Sequence, residues 1–159
     1  VTRSITTDAM TQVGNRYALV KAISDRGIDI QKRGQDLVIA AIDLVDNEKA
    51  EEKRMPQQND LLLQQFGQAL KVEFGGETSV FRMSGDEFVV FVPSRTVSDF
   101  DKLAEDFSII EKQIRNEGFL QASVNAGFAA LSERGYNFWD TLQLADRRMY
   151  QARRSRQKG

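Results

Sequence analysis

The chain has 159 residues, 41% of them hydrophobic and 28% charged, which suits one soluble domain with a sizeable core. Its 22 basic and 23 acidic residues leave a formal charge of −1, so nothing draws the whole chain to nucleic acid or anionic lipid, and no nucleic-acid partner is expected. Neither cysteine nor histidine occurs, which excludes disulfides, thiolate nucleophiles, cysteine or histidine metal sites and histidine general bases.

Chemistry must therefore come from carboxylates, lysines, arginines, hydroxyls or the backbone, and the ion such oxygen ligands favour is hard, magnesium above all. No apolar run approaches membrane-spanning length and no secretory signal is visible. The chain opens on Val1 in the middle of a pattern, so it reads as a fragment of a longer multidomain protein. Composition then leaves open whether the parent spans a membrane.

The first stretch, Val1 to Gly14, is polar and turn-like. Asn15 suits a cap for a helix from Arg16, with Tyr17, Leu19, Val20 and Ile23 as its apolar side and Gly27 as a bend or stop before Ile30. Leu37 to Ile42 is almost wholly apolar and predicts a central strand, buried on both faces and ending in Asp43. A carboxylate there is a site candidate, or simply a cap for the next element; Asp46 and Asn47 also suit a helix start. Asn47 to Gln58 is strongly polar, and Pro56 opposes an uninterrupted helix through it. Leu61, Leu62, Leu63, Phe66, Leu70 and Phe74 then recur at helical spacing until Gly75-Gly76.

Val80 to Val92 reads VFRMSGDEFVVFV. Strands are predicted over Ser79–Met83 and Phe88–Val92, joined by Ser84-Gly85-Asp86-Glu87 and closed by Pro93. Two carboxylates, Asp86 and Glu87, thus stand at the lip of a hydrophobic sheet, although an ordinary hairpin with an acidic turn would read the same way. Asp99 to Gly118 predicts an amphipathic helix and Leu120 to Phe128 a strand. A last helix is predicted over Phe138–Arg156 with Trp139, Leu142, Ala145, Met149 and Tyr150 facing inward. Two βαβ-like crossings joined by a hairpin predict a mixed sheet with helices against it, in which Asp43, Asp86 and Glu87 share one ion.

These residues resemble a GGDEF domain, the diguanylate cyclase family, over essentially the whole of 1–159. The signature stands as Ser84-Gly85-Asp86-Glu87-Phe88, preceded by Asp8, Thr11, Asn15 and Arg16 and followed by Ala145-Asp146, Met149-Tyr150 and Ala152-Arg153. The resemblance implies an α+β fold, a ferredoxin-like mixed sheet flanked by helices and related to the palm of polymerases and nucleotide cyclases. It also implies the joining of two GTP molecules into cyclic di-GMP with release of pyrophosphate, by chemistry similar to two-metal phosphoryl transfer.

Carried over by position, Asp43 and Glu87 match metal ligands, with Asp86 and Glu87 as the signature's catalytic acids. Asp60 matches the aspartate that reads guanine, and Gly85 the glycine where nucleotide approaches closely. Arg153 stands at the phosphate-binding lysine and suits phosphate bidentately, although a solvated cationic helix end reads the same way. Arg82 keeps an arginine just before the signature.

The departures lie between these positions. Val45 replaces the second aspartate, Asn47 a core phenylalanine, and Glu48 the phosphate-side lysine. Glu51 takes the place of the guanine-reading asparagine, and Glu52 that of the acid beside it. Met55-Pro56 stands for a glycine-histidine pair, Asn59 for the glycine before Asp60, Ser84 for the first signature glycine, and Arg156-Gln157 for a glycine-arginine pair. Glu48 puts negative charge where phosphate is expected, and like charges about 4 Å apart repel by roughly 1 kcal/mol in water or about 4 kcal/mol near a protein surface. Glu51 keeps an acceptor for guanine but loses the amide donor. Gly75 and Thr78 stand where an RxxD product-inhibition site would be, so that site is not expected.

The leading expectation is a degenerate GGDEF domain with weak or no cyclase activity, regulating an attached module through GTP binding or dimerisation. An active magnesium-dependent cyclase with a modified GTP pocket is the first alternative, and a ligand-free structural or interaction domain the second. The implied partners are GTP, a second copy of the domain, and an adjacent EAL or sensory domain. The implied location is a cytoplasmic domain of a soluble or membrane-anchored parent.

Overall fold

The computed structural model describes residues 5–46, 56–75 and 79–158. Asn15 caps the first helix, α1 (Arg16–Arg33), by accepting from the Ala18 amide at 2.9 Å. The helix runs through Gly27 without a break. It stops at Gly34, whose φ of +64° is the left-handed conformation glycine adopts most easily at a helix end. Tyr17 and Val20 are exposed and only Leu19 of the expected stripe is fully buried, because α1 touches the sheet along a narrow edge.

Strand β1 (Leu37–Asp46) continues past Ile42, so Asp43 lies within it and Asp46 closes a strand instead of capping a helix. Helix α2 (Pro56–Phe74) begins at Pro56, whose missing N–H costs nothing in a first turn. Strands β2 (Val80–Ser84) and β3 (Glu87–Pro93) form the hairpin. Helix α3 (Phe100–Asn116), strand β4 (Ala122–Ala130), a 3-10 turn over Leu131–Arg134 and helix α4 (Phe138–Lys158) complete the chain. Asn137 caps α4 by accepting from the Asp140 amide.

The sheet order is β2-β3-β1-β4, and each neighbouring pair is antiparallel. Each crossover skips one strand, so β1 and β2 run the same way with β3 between them, and the sheet is antiparallel throughout where a mixed one is expected from the sequence. The architecture is α+β and ferredoxin-like, with helices against a four-stranded sheet. One face packs Val38, Ala40 and Ile42 of β1 on α2 and α3, and the opposite residues Leu37, Ile39 and Ala41 pack toward α1 and α4. This alternation along β1 decides which way Asp43 points. No helix among the described residues is long and apolar enough to cross a membrane.

Candidate active site on the α4 face

Register aligns the polar groups of three strands. Asp43 is the last β1 residue paired with β3, opposite Glu87, and on its other side it pairs with Asn125 of β4. All three share the parity of Ile39, Val89 and Ala129, so they form a row Glu87–Asp43–Asn125 on the face covered by α4. The same register that builds the core thus gathers polar side chains from remote positions in sequence.

The last turns of α4 lie over this row. The Tyr150 hydroxyl lies 3.2 Å from Glu87 Oε1, and Arg153 Nη1 donates to Asp43 Oδ2 at 2.8 Å. Beyond it, Arg156 donates to the Val124 carbonyl at 3.0 Å and to Glu111 at 2.7 Å. Asp43 is only 2% exposed, and its Oδ1 has no hydrogen-bond partner among the described residues; the same holds for Oδ1 of Asn125. Burial pushes the Asp43 carboxyl above its ordinary range. Arg153 opposes that shift, and Asp86 and Glu87 add to it. Burial also raises Asp146, with Glu87 adding to it, and the nearby charge of Glu87 raises the Tyr150 phenol.

The hairpin turn is held from outside the row. Ser84 pairs with Glu87, leaving Gly85 and Asp86 as a two-residue loop with Gly85 at φ +49°, a conformation that favours glycine first in such a turn. Arg82 Nε donates to the Gly85 carbonyl at 2.7 Å, while its Nη1 meets Asp8 at 3.2 Å. Asp8 in turn accepts from the amide and hydroxyl of Thr11. The Asp86 carbonyl accepts from the Leu44 amide at 3.0 Å, fastening the turn to β1. Asp8, Thr11 and Arg82 therefore act as a brace for the signature loop.

A cleft of about 490 Å³ opens beside the row, with Arg16, Met83, Ser84, Glu87, Trp139 and Asp146 among its lining residues. Trp139 is half exposed in it and Tyr150 is exposed over Glu87, so both depart from the inward stripe expected of α4; Ala145 and Met149 carry that stripe. On the other side, Val45, Ser123, Asn125, Arg153, Arg156 and Gln157 line a cavity of about 220 Å³.

The structure brings Asp43, Glu87 and Arg153 together. Asp86 and Gly85 sit exposed in the adjoining turn. Asp60 is exposed in the first turns of α2 and has no hydrogen bond to the row. Glu51, with Asn47, Glu48, Glu52 and Met55, lies outside the described residues. Tyr150, Asp146 and Asn125 were not singled out as site residues. The first two lay within the C-terminal pattern, and the third was a lone amide in an otherwise small and apolar strand.

The donors suit a hard cation: the unpartnered Oδ1 of Asp43 has acceptor capacity left, and Glu87 stands beside it. Magnesium is commonly held by one or two carboxylates together with substrate phosphates. Among the described residues, no group of three His, Cys, Asp or Glu side chains converges on one point.

An antiparallel four-stranded sheet flanked by helices, with two acids at a hairpin lip, defines the class as a palm-like α+β domain. The family model described as "Diguanylate cyclase, GGDEF domain" matches residues 5–159, and the chain belongs to that family, whose setting is cyclic di-GMP signalling. It is 26% identical over 149 residues to the diguanylate cyclase DgcS of Shewanella oneidensis, covering 93% of this chain and 49% of the relative. It is 25% identical over 151 residues to the probable diguanylate cyclase DgcJ of Escherichia coli, covering 94% of this chain and 30% of the relative. The chain thus spans half or less of these relatives. Among solved structures, the GGDEF domain of DgcB from Caulobacter crescentus, in complex with c-di-GMP, superposes with a TM-score of 0.82 at 18% identity, covering 98% and 94% of the two chains. That likeness shows the fold.

Proposed function

We propose that this GGDEF domain binds GTP with magnesium but turns it over weakly or not at all, and regulates an attached module in cyclic di-GMP signalling. The observation that carries this reading is the Arg153–Asp43 ion pair, which engages one oxygen of the first metal-ligand candidate. The replacements Glu48, Glu51 and Pro56 act in the same direction, setting acid and proline where phosphate- and base-facing groups are expected. Asp60, Gly85, Asp86 and Glu87 support retained nucleotide binding, with Asp43 and Glu87 as the ligands for magnesium. The ion, when bound, would neutralise phosphate charge.

The second reading is an active diguanylate cyclase, and the names of DgcS and DgcJ favour it. So does the register that sets Asp43 opposite Glu87. In that reaction the 3′-hydroxyl of each GTP attacks the α-phosphorus of the other, forming two phosphodiester bonds and releasing two pyrophosphates. Two domains must face one another for it, which makes a second copy the partner.

Incubating the full-length parent with magnesium and GTP separates the readings. We expect little cyclic di-GMP, together with GTP binding in calorimetry that depends on magnesium and weakens at least tenfold in Asp60→Ala. Clear turnover abolished by Glu87→Gln would establish the cyclase instead. No binding at millimolar GTP would leave a structural or interaction domain.

A further inference from the structure

We propose that Arg153 is the resident counter-ion of Asp43, and that a divalent cation reaches Asp43 only by displacing it. Asp43 is nearly inaccessible, and burying a carboxylate is costly unless it is paired. Arg153 provides the pairing at 2.8 Å from Oδ2. A divalent ion on the same carboxylate would stand next to the guanidinium and be repelled by it.

The arginine is placed to leave. Its side chain is 38% exposed, whereas that of Asp43 is 3% exposed, so the cationic arm can move to solvent while the acid stays fixed in the strand. Its neighbour along the helix is committed elsewhere, since Arg156 is held by Glu111 and the Val124 carbonyl. Oδ1 of Asp43, buried and without a partner among the described residues, is the oxygen with acceptor capacity left for an ion once the arginine withdraws. Glu87 stands opposite in register as a second ligand. The geometry therefore describes a carboxylate site that carries its own removable cation, and its affinity for metal is set by the strength of one ion pair.

The inference rests on the proposed reading of Asp43 and Glu87 as metal ligands but not on nucleotide binding, because it is tested with the ion alone. Mn2+ is titrated into the full chain without nucleotide, and free ion is followed by electron paramagnetic resonance. Arg153→Gln is expected to bind Mn2+ at least tenfold more tightly than wild type. Adding Asp43→Asn to that variant should abolish the gain. Arg154→Gln, one exposed position along, should leave wild-type affinity. Should Arg153→Gln fail to fold, Arg153→Lys decides: its shorter ammonium pairs less fully, and binding should tighten threefold or more. Binding that stays unchanged or weakens in the Arg153 variants, or a gain that survives Asp43→Asn, overturns the inference while leaving the GTP experiment unaffected.

Discussion

Gly127 of β4 lies so close to Met149 of α4 that a Cβ at Gly127 would stand 2.1 Å from the Met149 backbone nitrogen and 2.2 Å from the Ala145 carbonyl oxygen. Both neighbours are backbone, which cannot rotate aside. This contact sets the depth at which α4 rests on the sheet, and hence where Tyr150 and Arg153 meet Glu87 and Asp43. Gly127→Ala is expected to cost at least 1–3 kcal/mol, about the range for overpacking, in urea unfolding. It should also loosen the Tyr150–Glu87 contact, visible as a downward shift of the Tyr150 phenol titration. A variant as stable as wild type would mean that α4 is not held by this approach.

The brace under the signature turn makes a separate prediction. Arg82 joins Asp8 to the Gly85 carbonyl, so Arg82→Ala removes an ion pair and a hydrogen bond at once. Both partners are partly solvated, and the expected loss is about 1 kcal/mol. The more specific readout is amide hydrogen exchange: protection at Leu44, whose N–H is bonded to the Asp86 carbonyl, should fall more than protection in the centre of β1. Arg82→Lys keeps a cation for Asp8 but lacks the Nε donor, so it should restore only part of that protection.

What the sequence disclosed was mostly local. Leu37 to Ile42 and Phe88 to Val92 are runs of strand formers buried on both faces, and their composition marks them directly. The apolar spacing of α2 and α3 is equally plain. Less legible was the crossing of α4 over the sheet. Nothing near Asp43 in the chain announces Arg153, 110 residues away, and nothing near Glu87 announces Tyr150. The family pattern pointed to Arg153 as a phosphate ligand; its bond to Asp43 depends on how α4 crosses the sheet. Trp139 and Tyr150 misled because helical periodicity marks large apolar bodies as inward. A tyrosine at a helix edge can instead point its hydroxyl to a carboxylate and leave its ring in solvent.

Phe66 of α2 and Phe88 of β3 test how the hairpin is anchored to the other face. Their rings meet edge to face with centroids 5.0 Å apart, and both are fully buried. Phe88 follows Glu87 directly, so this contact holds the root of the signature strand from below. Phe66→Ala is expected to cost about 3–5 kcal/mol by loss of transfer energy and opening of a cavity. Phe66→Leu should recover more than half of that in thermal unfolding.

Glu133 allows a test by pH away from the carboxylate row. Arg148 donates to both of its oxygens at 2.9 Å, and the Ala130 amide donates to one of them at 2.9 Å. The hydrogen bonds from Arg148 hold the Glu133 carboxyl below its ordinary value of 4.5; burial acts the other way, and the Ala130 amide and the charges of Arg148 and Arg134 lower it further. Because the folded-state value is depressed, the pairing contributes stability that is complete above the unfolded value. That contribution is lost as pH falls through the folded one. Glu133→Gln should therefore cost about 1 kcal/mol near neutral pH, where a bidentate but partly exposed pair is broken. The gap from wild type should narrow steadily as the buffer is acidified below 4.5, as urea midpoints at a series of pH values will show. A gap that stays constant down to the acid limit would assign the cost to lost packing, and not to the charge on Glu133.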